Sequence, residues 1–121
     1  MRTGSILSDP QRKLLPLTPA VFFILLALAD GEKHGYAIMQ EVSVLSDQQV
    51  QMGPGTLYTT IQRLLDLMLI AETATSKNEE GRRRYYRLTG AGLALLETEI
   101  GRMQAVLRVA RQKRLKPLEA R

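Results

Sequence analysis

The chain has no cysteine and no tryptophan, and its only histidine is His34. Without cysteine there is neither a disulfide framework nor a thiolate metal site, and one histidine cannot build a histidine cluster within one chain. A cytosolic protein without metal or other cofactor is the expectation. Long hydrophobic runs are missing as well. The most apolar stretch, Ala20 to Ala29, falls far short of the roughly 20 residues that a membrane-spanning helix needs. Arg2, Arg12 and Lys13 precede it, and Ala27-Leu28-Ala29 has the small-x-small form of a signal cleavage site. Against secretion stand Asp9 inside the basic region, Pro16 and Pro19 where a signal helix would run, and the absent cysteines, so a buried core helix is the simpler reading.

Aromatic residues make up only 5% of the chain, but 45% is hydrophobic and the 24% that is charged mixes both signs, which suits a packed core rather than wholesale disorder. With 121 residues there is room for one compact domain and one helix projecting from it. The net charge is +5 and unevenly placed. Up to Gly53 there are four basic and five acidic residues; from Pro54 onward there are thirteen and seven. An anionic partner is therefore expected to meet the second part of the chain.

Residues 1–16 carry Gly4, Ser5, Pro10 and Pro16 without a sustained apolar period and read as a flexible arm. Thr18-Pro19 is a good helix start, a hydroxyl cap followed by a proline that loses no hydrogen bond at the first helical position. The spacing predicts a first helix over Pro19 to Ala29, apolar on every side, and a second over Gly35 to Leu45 with Ala37, Ile38, Val42 and Leu45 on one face. Gly53-Pro54-Gly55-Thr56 opens a third, whose buried stripe is Leu57, Ile61, Leu64, Leu65 and Met68 and whose opposite face holds Thr56, Thr59, Thr60 and Arg63.

Ile70 to Thr75 and Arg83 to Leu88, separated by a polar loop, read as a hairpin with Ile70, Tyr86 and Leu88 inward. Thr89 caps a last helix in which Leu93, Leu96, Ile100, Met103, Leu107 and Ala110 alternate spacings of three and four. This heptad-like seam, widened by Leu95, Val106 and Val109, asks for a partner helix, expected from a second copy.

The fold class expected is mainly α with a small β-hairpin: a winged helix-turn-helix over residues 17–89, a long C-terminal dimerisation helix over 90–116 and a tail over 117–121. Three stretches narrow this further: HGYAIMQEV from His34 to Val42, GPGTLYTTIQRLLDLMLI from Gly53 to Ile70, and RRRYYRLTGAG from Arg82 to Gly92. In order and spacing they resemble the PadR family of winged-helix regulators, over roughly Leu17 to Gly92. Two positions depart from its pattern. Thr59 stands where the family usually has proline, and Met68 where it has a glycine suited to the left-handed conformation at the end of the helix.

The resemblance implies that the third helix enters the major groove of double-stranded DNA, with Thr56, Thr59, Thr60 and Arg63 reading or bracing. Arg63 is the strongest base reader, because a guanidinium can donate two hydrogen bonds to guanine. By the same resemblance Tyr36 and Tyr58 contact phosphate, the alternative being half-buried tyrosines at the edge of the core. Lys77, Arg82, Arg83 and Arg84 concentrate positive charge in and beside the wing, where Glu79 and Glu80 partly offset it. Arg108, Arg111, Lys113, Arg114 and Lys116 oppose the dipole of the last helix and are read as structural. His34 is read as a helix-start residue filling space beside Gly35.

The function implied is a homodimeric repressor on an inverted-repeat operator, with a possible small apolar inducer between the first and last helices of the two subunits, lined by Phe22, Phe23 and Met103. Lacking tryptophan, the chain has no indole to stack on a flat drug, which disfavours broad drug sensing. The alternative is a winged-helix interaction module without specific DNA binding, against which Arg63, the threonines and the wing arginines argue. An enzyme is not indicated: there is no nucleophilic cysteine, no metal cluster, no histidine paired with a carboxylate at recognisable spacing, and no lysine after Gly53-Pro54-Gly55 to form a phosphate loop.

Overall fold

A computed structural model describes residues 6–73, 76–78 and 81–115, with residues 76–78, 81 and 82 described by their backbone alone. Its helices are α1 (Asp9–Arg12), α2 (Pro19–Ala27), α3 (Gly35–Leu45), α4 (Pro54–Asp66) and α5 (Gly90–Gln112). The strands are β1 (Lys33–His34), β2 (Ile70–Glu72), β3 (Ser76–Asn78), β4 (Gly81–Arg83) and β5 (Tyr85–Leu88). The chain is mainly helical with a small antiparallel sheet and a long last helix, as the patterning implied.

The cap residues act as their chemistry dictates. Thr18 accepts from the Val21 N–H at 3.3 Å with Pro19 in the first turn of α2, and Thr89 accepts from the Gly92 N–H at 3.0 Å to open α5. The Thr89 hydroxyl also donates to the Met68 carbonyl at 2.7 Å, tying the start of α5 to the end of α4. Ile24, Leu25, Ile38, Leu57, Ile61, Leu64, Leu69 and Leu95 are buried and form one core with Ile70 and Tyr86. Leu88 lies only partly buried at its edge.

Helix α4 ends in a Schellman turn. The Leu69 N–H bonds the Leu64 carbonyl at 3.0 Å and the Met68 N–H bonds that of Leu65 at 2.9 Å, with Met68 at φ +59°. Met68 thus takes the left-handed conformation of the family's glycine, and its side chain points out of the core, 70% exposed. The buried stripe of α4 is therefore shorter than expected, ending at Leu64 with Leu65 partly buried.

The wing is more divided than one hairpin. β2 and β5 pair with Ile70 opposite Leu88 and Glu72 opposite Tyr86, while β1 adds to the other edge of β5, placing Lys33 opposite Tyr86 and His34 opposite Tyr85. Farther out, β3 and β4 form a separate ladder that sets Lys77 opposite Arg82 and Ser76 opposite Arg83. Two residues of strand are too few to leave an alternating pattern, so β1 had no signature of its own.

Residues 1–5 of the expected flexible arm lie outside the described residues, and within the rest of it residues 8–12 form a capped turn of helix. Ser8 and Gln11 make a reciprocal capping box: the Gln11 N–H donates to Ser8 Oγ at 3.3 Å and the Ser8 N–H to Gln11 Oε1 at 2.9 Å. Gln11 Nε2 then donates to the Leu67 carbonyl at 2.7 Å, and Leu7 is buried. Four helical residues show no apolar period, which hid the element. Just beyond, the Leu17 N–H donates at 3.0 Å to Oε2 of Glu99, a fully buried carboxylate on α5 that also receives Arg102 Nε at 2.7 Å and Arg102 Nη2 at 3.0 Å. These bonds tie the N-terminal segment to both α4 and α5.

The first half of α5 packs on the domain through Gly92, Leu95, Leu96 and Glu99. Leu96 is 2% exposed and belongs to the domain's own core, which corrects its place in the expected intersubunit seam. The heptad pattern is continuous in sequence, but Leu96 within it is already covered by the domain, while Leu93 one turn earlier stays exposed.

Candidate nucleic-acid interface

Helix α4 is amphipathic. With Leu57, Ile61 and Leu64 buried, the opposite side presents Thr56, Thr59 and Arg63 to solvent. Thr60 is half-buried and spends its hydroxyl proton on the Thr56 carbonyl at 2.9 Å, leaving its oxygen lone pairs and methyl for any contact. Gln62 stands on the same exposed side, three residues after Thr59, and is a candidate that the sequence reading missed although the helical period placed it there. Its Nε2 donates to Asp66 Oδ1 at 3.0 Å, which fixes the direction of the amide.

Beside the start of α4, a cleft of about 520 Å³ is lined by His34, Gly35, Tyr36, Tyr58, Arg83 and Arg84, with Tyr86. It gathers four of the ten expected DNA contacts from three separate elements and the β4–β5 junction. Tyr36 and Tyr58 are each about half exposed, 58% and 48%, and stand at the edge of the core with part of each ring open to solvent. Tyr58 can sit in the cleft because Gly35 has no side chain: a Cβ there would overlap its hydroxyl and stand 2.7 Å from its Cζ.

His34 is the N-cap of α3, its Nδ1 accepting from the Ala37 N–H at 3.3 Å, rather than mere filling beside Gly35. Its ring meets Tyr85 edge to face at 5.5 Å, and Arg83 Nη1 lies 3.2 Å from its Nε2. Burial and then the Arg83 charge hold His34 below the usual imidazole range. Burial also pushes the Tyr86 phenol up, reinforced by the nearby Glu72 carboxylate and Tyr58. Arg84 lies 3.8 Å from Glu72, at the edge of ion-pair reach and mostly exposed. The side chains of Lys77 and Arg82 lie outside the described residues; their backbones are cross-strand neighbours in the outer ladder.

Of the expected dimer residues, Leu93, Met103 and Leu107 are exposed on α5, while Ile100 and Ala110 are half-buried. Val106 and Val109 add to the exposed apolar surface. Phe22 and Phe23 pack edge to face at 5.1 Å and are partly buried against the core, with Met103 more exposed on α5. Among the described residues no group of three or more acidic or histidine side chains could hold a metal ion, and no helix is long and apolar enough to cross a membrane.

The family model described as transcriptional regulator PadR-like family matches residues 24–98. The chain is 41% identical over 80 residues to an uncharacterized 37.1 kDa protein in transposon TN4556 of Streptomyces fradiae, covering 66% of this chain and 21% of that protein. It is 44% identical over 70 residues to the transcriptional regulator Rv3488 of Mycobacterium tuberculosis, covering 56% of this chain and 60% of the relative. It therefore spans less than two thirds of the length of either. In fold it is similar to Bacillus subtilis PadR in complex with operator DNA, with a TM-score of 0.62 and 24% identity over 70% of this chain and 47% of that one.

Proposed function

The chain belongs to the transcriptional regulator PadR-like family, and from that membership we propose that it binds double-stranded DNA sequence-specifically, as a homodimeric repressor on an inverted-repeat operator. The observation that carries this reading is the continuity of the α4 face with the cleft. Tyr58 belongs to both, so a duplex whose major groove receives Thr56, Thr59, Gln62 and Arg63 would bring its backbone against Tyr36, Tyr58, Arg83 and Arg84. Lys77 and Arg82 then extend the positive charge along the wing.

The dimer is supported by Met103, Val106, Leu107 and Val109, which leave the projecting half of α5 apolar and exposed, a surface that soluble monomers rarely keep. A second copy with a matching α5 would cover it and place two α4 helices on one side of the duplex. An apolar inducer would act where Phe22, Phe23 and Met103 meet that second copy, shifting the spacing of the two reading helices.

Fluorescence anisotropy against the chain's own upstream DNA and a scrambled duplex, across a salt series, tests the reading. Tighter binding to the upstream DNA at one dimer per site is expected, with Arg63→Ala narrowing the preference. Equal affinity for both duplexes would reduce the activity to charge attraction, and no binding would favour an interaction module.

A further inference from the structure

A neutral imidazole has one acceptor nitrogen and one N–H. Two donors address His34 at once: the Ala37 N–H, 3.3 Å from Nδ1, and Arg83 Nη1, 3.2 Å from Nε2. Whichever nitrogen carries the proton, one of these contacts sets a donor against a donor. Protonating the ring makes both contacts unfavourable. Rotation is opposed by Tyr85, which packs against the ring edge to face, and by the loss of the α3 cap.

We propose that His34 is a ligand of a DNA backbone phosphate. In the complex its proton sits on Nε2, Nδ1 keeps the cap of α3, and Nε2–H and the Arg83 guanidinium converge on one phosphate oxygen in the cleft. This rests on the DNA-binding reading above and adds a residue to it. A phosphodiester oxygen resolves the conflict because it accepts more than one hydrogen bond and its charge draws Arg83 away from direct opposition with the ring. Tyr36 and Tyr58 line the same cleft, and a hydroxyl from either would complete the oxygen's partners. His34 differs from the arginines beside it in contributing a directed bond without a charge.

Since His34 is the only histidine, labelling histidine with ¹⁵N reports on this ring alone. On saturation of the wild-type protein with its upstream duplex, the spectrum is expected to show the Nε2–H tautomer with a displaced Nε2 proton signal. His34→Ser keeps a capping hydroxyl but cannot reach the cleft. It is expected to lose about tenfold in affinity with the salt slope unchanged, because a neutral donor releases no counterion, whereas Arg83→Ala flattens the slope. Protonation on Nδ1 in the complex, or ring signals unmoved by a duplex that binds, would overturn the proposal while leaving DNA binding intact. A shift on inorganic phosphate alone and none on bound duplex would overturn the backbone assignment. Failure of the wild-type protein to bind any duplex would remove the DNA-binding reading and this ligand with it.

Discussion

The phenol of Tyr58 lies over the Cα of Gly35, where any side chain would overlap its hydroxyl. The glycine that opens α3 and the tyrosine in the first turns of α4 are thus one device, which holds a hydroxyl in the cleft beside Arg83 and Arg84. The far end of a half-exposed tyrosine is free to swing away, so Gly35→Ala should fold with its melting temperature lowered by no more than a few degrees. Its DNA affinity should fall about as far as that of Tyr58→Ala. A Gly35→Ala protein that binds like the wild type would show that the position of Tyr58 does not matter.

Gly92 looks similar in sequence but meets a different obstacle. A Cβ there would overlap the Leu69 carbonyl oxygen and lie 3.0 Å from its carbon, and that backbone is fixed by the Thr89 N–H at 3.1 Å. Backbone cannot rotate aside as a phenol can. Gly92→Ala is therefore expected to destabilise the fold by about 2 to 3 kcal/mol, read from urea denaturation, by forcing α5 off the sheet. Unchanged stability would mean that the contact between α5 and the turn after α4 is loose.

Met68 holds a left-handed conformation that disfavours side chains by about 1 to 2 kcal/mol, and its exposed side chain recovers little of this through burial. Met68→Gly should relieve that strain, less the added entropy of the unfolded chain, for a net stabilisation of about 0.5 to 1 kcal/mol. Thermal unfolding of the pair of proteins gives the sign directly; a lower midpoint for the glycine variant would place the value of Met68 in contacts instead.

Much of the architecture was legible because each main element carries its own local signal. Thr18-Pro19, Gly53-Pro54 and Thr89 mark helix starts by chemistry that acts within one turn, and the stripe of Leu57, Ile61 and Leu64 fixes which face of α4 remains outside. What escaped depends on partners far along the chain. Gln11 sits in a segment without an apolar period, and only the fold brings it to the Leu67 carbonyl, 56 residues on. Glu99 reads as a surface charge on an amphipathic helix until the Leu17 N–H is placed against it. His34 shows no hint in sequence of facing Arg83. Leu96 fits the heptad perfectly, and only packing shows that the domain has already claimed it.

Two buried or half-buried groups give stability a pH dependence with separate windows. The unfolded chain protonates His34 in the ordinary imidazole range, while the folded chain resists until lower pH because of burial and Arg83. The unfolded state therefore binds more protons between those values, and stability declines as pH falls through that window. Glu99 is held below the usual carboxylate range, first by Arg102 and then by the Leu17 N–H against an opposing burial effect, so its contribution persists above that range and is lost as pH falls through its folded value. Denaturation midpoints from about pH 8 to about pH 3 should show both declines. His34→Ser should abolish the upper one, and Glu99→Gln should reduce the lower, to which Asp30, held low by its Lys33 partner, also contributes; an upper decline that survives in His34→Ser would assign it to another group.

The projecting half of α5 supplies the sharpest test of assembly, because a charge there need not disturb the domain. Leu107 is half exposed in the isolated chain, so Leu107→Asp should leave the helical circular dichroism and the melting of the domain nearly unchanged. In a dimer the same carboxylate would be buried against apolar side chains without a partner, at a cost of several kcal/mol for each copy. Light scattering should then show the protomer mass, and affinity for a two-half-site duplex should fall to that of a single half-site, since the second contact is no longer intramolecular. Leu96→Asp, by contrast, should unfold the domain itself. If Leu107→Asp keeps the mass of the wild-type protein, the apolar face of α5 is covered by something other than a second α5.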